Sequence, residues 1–316
     1  MRWRRPQEVL VAAPKQNWQD IFFTARDGLR LYARRYPSPG ARGRPVLCLS
    51  GLTRNARDFH HLASSLADTS HAGAREVYAV DYRGRGRSAH DPDWRNYSLA
   101  VELLDVLDFM TLSGLHDCAI VGTSRGGLLA MLMAAMRPGA IGAVVLNDIG
   151  PVIERDGLLR IVAYVGRIPL PANWPEAEAL VRDMNERHFP AVPDDEWKNI
   201  AHQWFNDDHD RPTHAYDQKL AEAISVLDVR LPTLWPQFEA LKAWPTLVIR
   251  GALSDILTNA TVEQMQLRHP LLDTLTVTGQ GHAPLLRDRI TVRAIADFLA
   301  RADAHGSQPG REKVLA

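Results

Sequence analysis

A serine flanked by glycines is the first feature of the sequence with the makings of chemistry. Ser124 is the centre of a Gly-Thr-Ser-Arg-Gly motif at 122–126, which follows the apolar run 119–121 and leads into a helical run at 127–136. A sharp turn between a buried strand and a helix exposes a serine hydroxyl, and the glycines relieve crowding there. We therefore predict that Ser124 is a nucleophile. The motif also arises by chance, so the prediction depends on the residues that accompany it.

A serine hydroxyl becomes an effective nucleophile when a base takes its proton and an acid orients that base. His282 follows the last apolar run in a Gly-Gln-Gly-His loop, which makes it the candidate base. Asp255 lies on the loop after the apolar run 247–249 and is the preferred candidate acid. Asp148, just beyond another apolar run, is the alternative acid. The order Ser, Asp, His along the chain is one of the known orders for such a triad.

The charge that develops on the substrate oxygen needs backbone N–H donors. We expect one donor from Arg125, the residue after the nucleophile, and one from Leu52, in the loop 50–55. Gly51 lets that loop turn towards the pocket. A comparable oxyanion hole contributes about 3 kcal/mol to stabilising the transition state. The cation of Arg125 stands at a helix N-terminus, where the helix dipole disfavours it, so we expect it to have a compensating carboxylate or to reach solvent.

Short, continuously apolar runs alternate with segments of helical period along most of the chain. Strands that are buried on both faces of a parallel sheet have this appearance. The predicted strands are 46–49, 77–80, 119–121, 143–146, 247–249 and 275–277. A predicted hairpin at 21–35, with an Asp-Gly turn signal, precedes them. The sequence therefore predicts an α/β fold whose candidate residues follow strand ends at one edge of the sheet.

The alternation stops after residue 150 and resumes near residue 245. The segment between lacks a clear strand and is rich in Trp, Pro and helix-forming residues, so we predict a helical cap at 151–236. Its aromatic residues exceed what an ordinary connection needs, and Trp174, Trp204 and Phe205 are the candidates for a substrate pocket. The other predicted boundaries are an N-terminal arm at 1–19, a core at 20–150 and 237–302, and a disordered tail at 303–316.

Five motifs resemble those of the α/β-hydrolase superfamily and fall in the order that the family has. They lie at 50–55, 81–88, 122–127, 251–255 and 281–282. The resemblance covers about residues 20 to 300 and is closest to a capped, serine carboxylesterase-like branch. It implies a mostly parallel central sheet flanked by helices, with a helical cap inserted after the sixth strand. One departure is Ser50, where many relatives have histidine.

The nucleophile separates the reactions that this branch performs. Epoxide hydrolases and haloalkane dehalogenases use an aspartate, so the resemblance implies acyl transfer through Ser124. We expect a carboxylic ester hydrolase that needs no cofactor and acts on a small-molecule ester, with polyester oligomers and lactones among suitable substrates. A carbon–carbon bond hydrolase of ring-cleavage products uses the same three residues and is the alternative. A ligand receptor that keeps the triad without turnover is a further interpretation.

The composition bears on partners and location. The chain has 37 basic and 37 acidic residues, and this balance disfavours nucleic acid as a partner. The longest apolar run, 128–136, is about half of the roughly 20 residues that span a bilayer, so no membrane insertion is expected. Cys48 and Cys118 lie in apolar runs, where a thiol behaves as a small hydrophobic group. With no recognisable signal peptide, this indicates a cytoplasmic setting. The sequence gives no indication of the oligomeric state.

Two polar clusters contain residue types that could perform other chemistry. The loop 81–88 contains glycines and arginines but lacks the Lys-Ser/Thr ending of a phosphate loop, and we interpret it as a turn held by Asp81 and Arg83. Histidines and aspartates gather at 202–214, yet their spacing fits no recognised zinc or calcium pattern. We therefore predict neither a nucleotide site nor a metal site.

Overall fold

The computed structural model describes residues 17–71, 73–225 and 233–306. The strands in these ranges are β1 (Gln19–Thr24), β2 (Arg30–Tyr36), β3 (Val46–Leu49), β4 (Val77–Asp81), β5 (Cys118–Thr123), β6 (Ile141–Asn147), β7 (Phe205–Asp207), β8 (Pro212–His214), β9 (Thr246–Gly251) and β10 (Leu272–Val277). The helices are α1 (His60–Ala67), α2 (Leu99–Leu112), α3 (Arg125–Met136), α4 (Arg155–Tyr164), α5 (Trp174–Asn185), α6 (Glu196–Trp204), α7 (Leu220–Ser225), α8 (Trp235–Glu239), α9 (Asn259–Arg268) and α10 (Arg289–Gly306).

The main sheet has eight strands in the order β1-β2-β4-β3-β5-β6-β9-β10. The β1–β2 and β2–β4 pairs are antiparallel, and every other neighbouring pair is parallel. Each residue of β3, β4, β6 and β9 is buried, which explains why these strands read as continuous apolar runs. The predicted mostly parallel sheet is confirmed, with the six predicted parallel strands inside observed ones.

Helices cover both faces of the sheet, and alternate strand residues divide between two apolar clusters. Leu47 and Leu49 of β3 point to the side on which α2 and α3 pack. Val46 and Cys48 point to the side of α1 and α10. This period of two is the geometry of a strand with a helix layer on each face. Because β3, β4, β5, β6, β9 and β10 are parallel, the loops at their carboxyl ends lie at one edge of the sheet. The helices on both faces hold these loops in place.

The segment 151–236, called the cap segment from here on, follows the sixth strand and contains α4 to α7 and the start of α8. A small apolar cluster centred on Trp197 packs α5 against α6. The expectation that this segment lacks strands is wrong, because β7 and β8 form an antiparallel hairpin there. Each strand of that hairpin has only three residues, which is too short for an alternating pattern to be recognised.

Two predicted boundaries need correction at the chain ends. The arm at 1–19 overlaps β1, which begins at Gln19, and residues 1–16 of that arm lie outside the described residues. The tail at 303–316 overlaps α10, which continues to Gly306, and residues 307–316 lie outside the described residues. Asp303 explains the longer helix, since it pairs with Arg44 at 3.0 Å and with Arg75 at 3.1 Å. Among the described helices, none has the length and apolar content needed to cross a bilayer.

Candidate active site

Ser124 occupies a sharp turn between the end of β5 and the first residue of α3. Its backbone φ is 51°, a left-handed conformation that is uncommon for a residue with a side chain. The Ser124 N–H donates to the carbonyl oxygen of Asn147 at 3.0 Å, and its own carbonyl accepts the N–H of Gly127 at 2.9 Å. These bonds fix the turn to β6 on one side and to α3 on the other. The serine side chain therefore sits where strand and helix meet, as the motif predicted.

Close backbone packing makes glycine necessary beside this turn. A Cβ atom on Gly126 would lie 2.0 Å from the carbonyl oxygen of Leu49, and one on Gly122 would lie 2.5 Å from the backbone of Gly126. Both contacts are far shorter than van der Waals distances and involve backbone atoms that cannot swing aside. The glycines let α3 approach β3 and β5 closely enough to hold Ser124 in place.

His282 joins Ser124 to a carboxylate. Its Nε2 lies 2.9 Å from Ser124 Oγ, and its Nδ1 lies 2.8 Å from Asp148 Oδ2. The imidazole side chain is 8% exposed and the Asp148 side chain is fully buried. Hydroxyl, imidazole and carboxylate thus form one connected hydrogen-bonded chain, in which the imidazole can move a proton to or from the serine oxygen.

Asp148, the alternative acid of the sequence analysis, is held by more than the histidine. It follows the last residue of β6, and its carboxylate accepts the Gly251 N–H at 2.8 Å and the Ser254 hydroxyl at 2.6 Å. These donors satisfy a carboxylate that has no access to solvent. The loop after β9 therefore contributes to the site through Gly251 and Ser254, which donate to the acid.

The preference for Asp255 as the acid is corrected by this geometry. Its carboxylate faces Arg160 of α4 and accepts two hydrogen bonds from the guanidinium, at 2.6 and 2.8 Å. Burial alone would raise the pKa of Asp255. The hydrogen bonds and the positive charge of Arg160 have the larger effect, so the pKa of Asp255 lies below the ordinary value of 3.8. The physical reason is the direction of the loop, which turns this side chain towards the cap segment. Asp255 joins the cap segment to the core.

The loop after β3 lies beside Ser124, and hydrogen bonds hold three consecutive carbonyl groups of this loop in place. The Tyr82 hydroxyl donates to the Ser50 carbonyl at 3.1 Å, and Arg85 Nε donates to the Leu52 carbonyl at 2.9 Å. The carbonyl between them, on Gly51, accepts the Arg54 N–H at 3.2 Å. The Gly51 carbonyl and the Leu52 N–H belong to one trans peptide group, so they point in opposite directions. The Leu52 N–H therefore faces away from the turn that the loop makes.

A buried carboxylate connects both sides of the predicted oxyanion hole. Glu102 of α2 is fully buried, and it lies 2.6 Å from Arg125 Nε and 2.7 Å from Arg85 Nη1. Burial opposes its ionisation, but the two guanidinium charges outweigh it and lower the pKa of Glu102. Arg125 thus has a compensating carboxylate. Sequence reasoning missed Glu102, although an acid three residues after Leu99 and four before Val106, on the apolar side of α2, was a usable signal.

The backbone N–H of Arg125 is the other predicted donor. Arg125 is the first residue of α3, and the first N–H groups of a helix have no partner within it. Gly51, on the opposite loop, is close enough that a Cβ atom there would lie 3.8 Å from Ser124 Cβ. The two predicted donors therefore come from segments that flank the serine, and their role in binding an oxyanion stays a prediction.

Two cavities meet at Ser124, with volumes of about 230 and about 530 Å³. Trp204 lines the smaller one, as predicted, together with other aromatic residues of the cap segment, Tyr164, Phe189 and Trp197. Trp174 and Phe205 were also predicted to line a pocket, and among the described cavity walls they are absent. They pack in the apolar cluster of the cap segment instead, where Trp174 stacks on His202 at 3.7 Å.

The turn at 81–88 is structural, as interpreted from the sequence. Asp81 accepts the backbone N–H groups of Ala56 and Arg87, at 2.6 and 2.8 Å. Arg83 is fully buried and pairs with Asp105 at 2.7 Å. Within 17–71, 73–225 and 233–306, no three His, Cys, Asp or Glu side chains are grouped so that they could hold a metal ion.

Comparison with known proteins identifies the family. A sequence model described as the alpha/beta hydrolase family matches residues 46–294, more than three quarters of the 316-residue chain. The chain belongs to the alpha/beta hydrolase family. This alpha/beta hydrolase is 30% identical, over 278 residues, to the 3-hydroxybutyrate-oligomer hydrolase of Cupriavidus necator, an alignment that covers 83% of this chain and 90% of the relative.

Two further similarities extend that result. The crystal structure of an alpha/beta hydrolase from Novosphingobium aromaticivorans superposes with a TM-score of 0.84 at 36% identity, covering 91% of this chain and 100% of the other. The sn-1-specific diacylglycerol lipase ABHD11 of Mus musculus is 31% identical over 149 residues, 46% of each chain. Two relatives of this alpha/beta hydrolase are thus named for hydrolysing esters.

Proposed function

We propose that the chain is a carboxylic ester hydrolase that forms an acyl-enzyme on Ser124. The observation that carries the proposal is the continuous chain from Asp148 through His282 to Ser124, with heavy-atom distances of 2.8 and 2.9 Å. A hydroxyl that hydrogen bonds to a carboxylate-oriented imidazole is the arrangement of an activated serine nucleophile. Ser124 also lines both cavities, so a substrate can reach its oxygen.

In the acylation step, Ser124 Oγ attacks the ester carbonyl carbon while His282 Nε2 takes the hydroxyl proton. The carbonyl oxygen becomes an oxyanion and accepts hydrogen bonds from the backbone N–H groups of Leu52 and Arg125. His282 then gives its proton to the alcohol oxygen, the bond between the carbonyl carbon and that oxygen breaks, and the alcohol leaves. The acyl group stays on Ser124 as an ester.

In the deacylation step, a water molecule replaces the alcohol. His282 removes a proton from this water as its oxygen attacks the acyl carbon, and the same N–H groups hold the oxyanion. Collapse returns the proton to Ser124 Oγ and releases the carboxylic acid. Throughout both steps the Nδ1–H of His282 donates a hydrogen bond to Asp148, which keeps Nε2 directed at the reacting oxygen.

Esters of short hydroxy acids are the substrates that we propose first. The relative from Cupriavidus necator is named for hydrolysing 3-hydroxybutyrate oligomers, and its alignment with this chain extends over nearly its whole length. Such oligomers are linear polyesters whose only charge at neutral pH is the carboxylate at one end. The apolar and aromatic walls around Ser124 are suited to them. Lactones contain the same reacting group and are the second substrate class that we propose.

The test is a comparison of turnover between ester substrates and a carbon–carbon substrate. Purified protein is incubated with 3-hydroxybutyrate dimer and trimer, p-nitrophenyl butyrate and a vinylogous 1,5-diketone. We expect multiple turnovers of the esters, no cleavage of the diketone, and complete loss of turnover in Ser124→Ala. Cleavage of the diketone alone would contradict the proposal. So would stoichiometric labelling of Ser124 by an organophosphonate in a protein that turns over no ester.

A further inference from the structure

The two cavities that meet at Ser124 differ in which catalytic group they contact. The smaller cavity is lined by His282 and the larger one by Arg125, while Ser124 and Leu52 line both. A substrate that reacts with Ser124 therefore extends in two directions from its carbonyl carbon. One direction passes the proposed base, and the other passes the start of α3.

Proton transfer assigns each half of the substrate to a cavity, given the proposed function. The alcohol oxygen must receive a proton from His282 Nε2 before it leaves, so the alcohol half must lie on the side of His282. The oxyanion faces the N–H groups of Leu52 and Arg125. The acyl half takes the remaining direction, which is the larger cavity. We propose that the larger cavity is the acyl site and the smaller cavity is the alcohol site.

The walls of the larger cavity determine the chemistry of the acyl group. Leu128, Ile149, Ile153, Leu158 and Ile256 line it. Two cations also line it: Arg125, which is 2.6 Å from the carboxylate of Glu102, and Arg95, which is 3.2 Å from the carboxylate of Asp93. Because each guanidinium has a carboxylate partner, neither contributes an unbalanced charge that would favour an anionic acyl chain. The volume of about 530 Å³ lies within the range of sites for small ligands, about 300–1,000 Å³. The acyl site is therefore suited to an extended apolar chain.

The smaller cavity has a different character. Its volume is about 230 Å³, and its walls include Arg54, Asp58 and Arg160. Arg54 pairs with Asp58 at 2.5 Å, and Arg160 pairs with Asp255 at 2.6 Å, so polar groups are present with their charges balanced. The alcohol site is suited to a short alcohol that carries hydrogen-bonding groups. The substrate class is thus an ester with a longer, largely apolar acyl half and a shorter, polar alcohol half. A 3-hydroxybutyrate oligomer fits this description when it is cleaved at the ester nearest its carboxyl end, where the alcohol half is a single hydroxy acid.

Two matched variants in the cap segment separate the sites. Leu158 lines only the larger cavity and Met184 only the smaller one, and both side chains are partly exposed. Neither belongs to the proposed catalytic groups. Leu158→Trp fills the acyl site and Met184→Trp fills the alcohol site, so each serves as the control for the other. The folded state of both is checked by thermal unfolding before kinetic comparison.

The experiment measures kcat/KM along two ester series and the deacylation rate. In the first series, p-nitrophenyl esters vary from acetyl to dodecanoyl; in the second, butyrate esters vary in the alcohol. For the wild type, kcat/KM rises about fourfold per added acyl methylene until the cavity is full. Leu158→Trp lowers that limiting acyl length and slows deacylation. Met184→Trp alters only the alcohol preference, because the alcohol has left before deacylation begins.

The outcomes distinguish the inference from the proposed function on which it rests. One outcome is that Met184→Trp lowers the limiting acyl length, Leu158→Trp alters the alcohol preference, and turnover still depends on Ser124. In that case the assignment of the cavities is wrong, and the ester hydrolase proposal stands. If no ester in either series is turned over in a Ser124-dependent way, the proposed function fails, and the inference fails with it.

Discussion

Asp148 and His282 are 134 residues apart in the chain, and the carboxylate Oδ2 of the first lies 2.8 Å from the imidazole Nδ1 of the second. Asp255, which the sequence favoured for this position, bonds instead to Arg160. The two aspartates follow different strands, β6 and β9, and serve different contacts. Their substitution by asparagine therefore has different consequences, even though the chemical change is the same.

We expect Asp148→Asn to lower kcat about 10⁴-fold, the loss that follows when the orienting acid of a serine triad becomes an amide. The amide can donate to His282, which favours the wrong tautomer of the imidazole. Asp255→Asn, the matched control, keeps kcat near the wild-type value because its carboxylate contacts Arg160 and lies outside the triad. Steady-state kinetics of both variants test this. A larger loss in Asp255→Asn than in Asp148→Asn would contradict the assignment.

The pair between Asp255 and Arg160 also predicts a dependence of stability on pH. Arg160 lowers the pKa of Asp255 in the folded protein below 3.8, even though burial opposes this. A carboxyl with a lowered folded-state pKa stabilises the fold above its unfolded pKa and loses that effect as pH falls through the folded value. About a third of each side chain is exposed, so solvent screening keeps the contribution near 0–1 kcal/mol.

The measurement is urea unfolding of the wild type and of Asp255→Asn between pH 7 and pH 2.5. The difference in the free energy of unfolding is expected to be constant down to about pH 5 and to shrink at lower pH. A difference that stays constant through pH 3, or grows there, is inconsistent with the lowered pKa.

Glu102 is expected to affect both stability and rate. Glu102→Gln removes the charge between two buried guanidinium groups, and breaking a buried ion pair in this way costs about 3–5 kcal/mol. Arg85 holds the Leu52 carbonyl and Arg125 begins α3, so a shift there displaces the predicted oxyanion donors. We expect kcat to fall by up to about 10²-fold, the effect of a misplacement near 1 Å.

Asp108→Asn is the control for Glu102, because it breaks an ion pair on the same helix in which Asp108 is partly exposed and its partner Arg26, 2.7 Å away, is exposed. Chemical denaturation and steady-state kinetics are compared for both variants. The control is expected to change stability by less than about 1 kcal/mol and to leave kcat unchanged. If Glu102→Gln behaves like the control in both measurements, the proposed role of the buried carboxylate is wrong.

Gly126 predicts a steric effect at the nucleophile turn. Gly126→Ala places a Cβ atom 2.0 Å from the Leu49 carbonyl oxygen, so α3 must move away from β3. Overpacking of this kind costs about 1–3 kcal/mol and more where backbone is involved, and activity falls with it. Gly139→Ala is the control, because a Cβ atom there meets nothing within 4 Å. Thermal unfolding and kcat of the two variants check this. Equal stability of both would show that the turn tolerates a side chain.

The sheet was predictable because burial on both faces leaves a direct mark on sequence. The predicted strand at 46–49 coincides with β3, and the glycines near Ser124 and His282 predicted the two residues whose side chains the structure places 2.9 Å apart. The acid was not decided in the same way. Asp148 and Asp255 both follow strands, and the choice depends on the strand order and on the direction of a loop, neither of which a single sequence contains.

The aromatic residues of the cap segment show the same limit. Trp204 lines a cavity, whereas Trp174 and Phe205 pack inside the cap segment. An amphipathic helix shows that one face is covered, but its sequence does not say whether the cover is the sheet, a neighbouring helix or a substrate. Glu102 was missed because its two partners lie on other elements. The cytoplasmic location stays a prediction.

The proposed mechanism requires an acyl group on Ser124, and the decisive measurement is to identify this covalent intermediate. The protein is mixed with excess p-nitrophenyl butyrate and quenched in acid within milliseconds, and the acylated peptide is identified by mass spectrometry. We expect a butyryl group on Ser124, formed at least as fast as turnover, and neither an acylated peptide nor turnover in Ser124→Ala. Continued ester turnover in Ser124→Ala, or a butyryl group on another residue that forms at the turnover rate, would contradict the proposed mechanism.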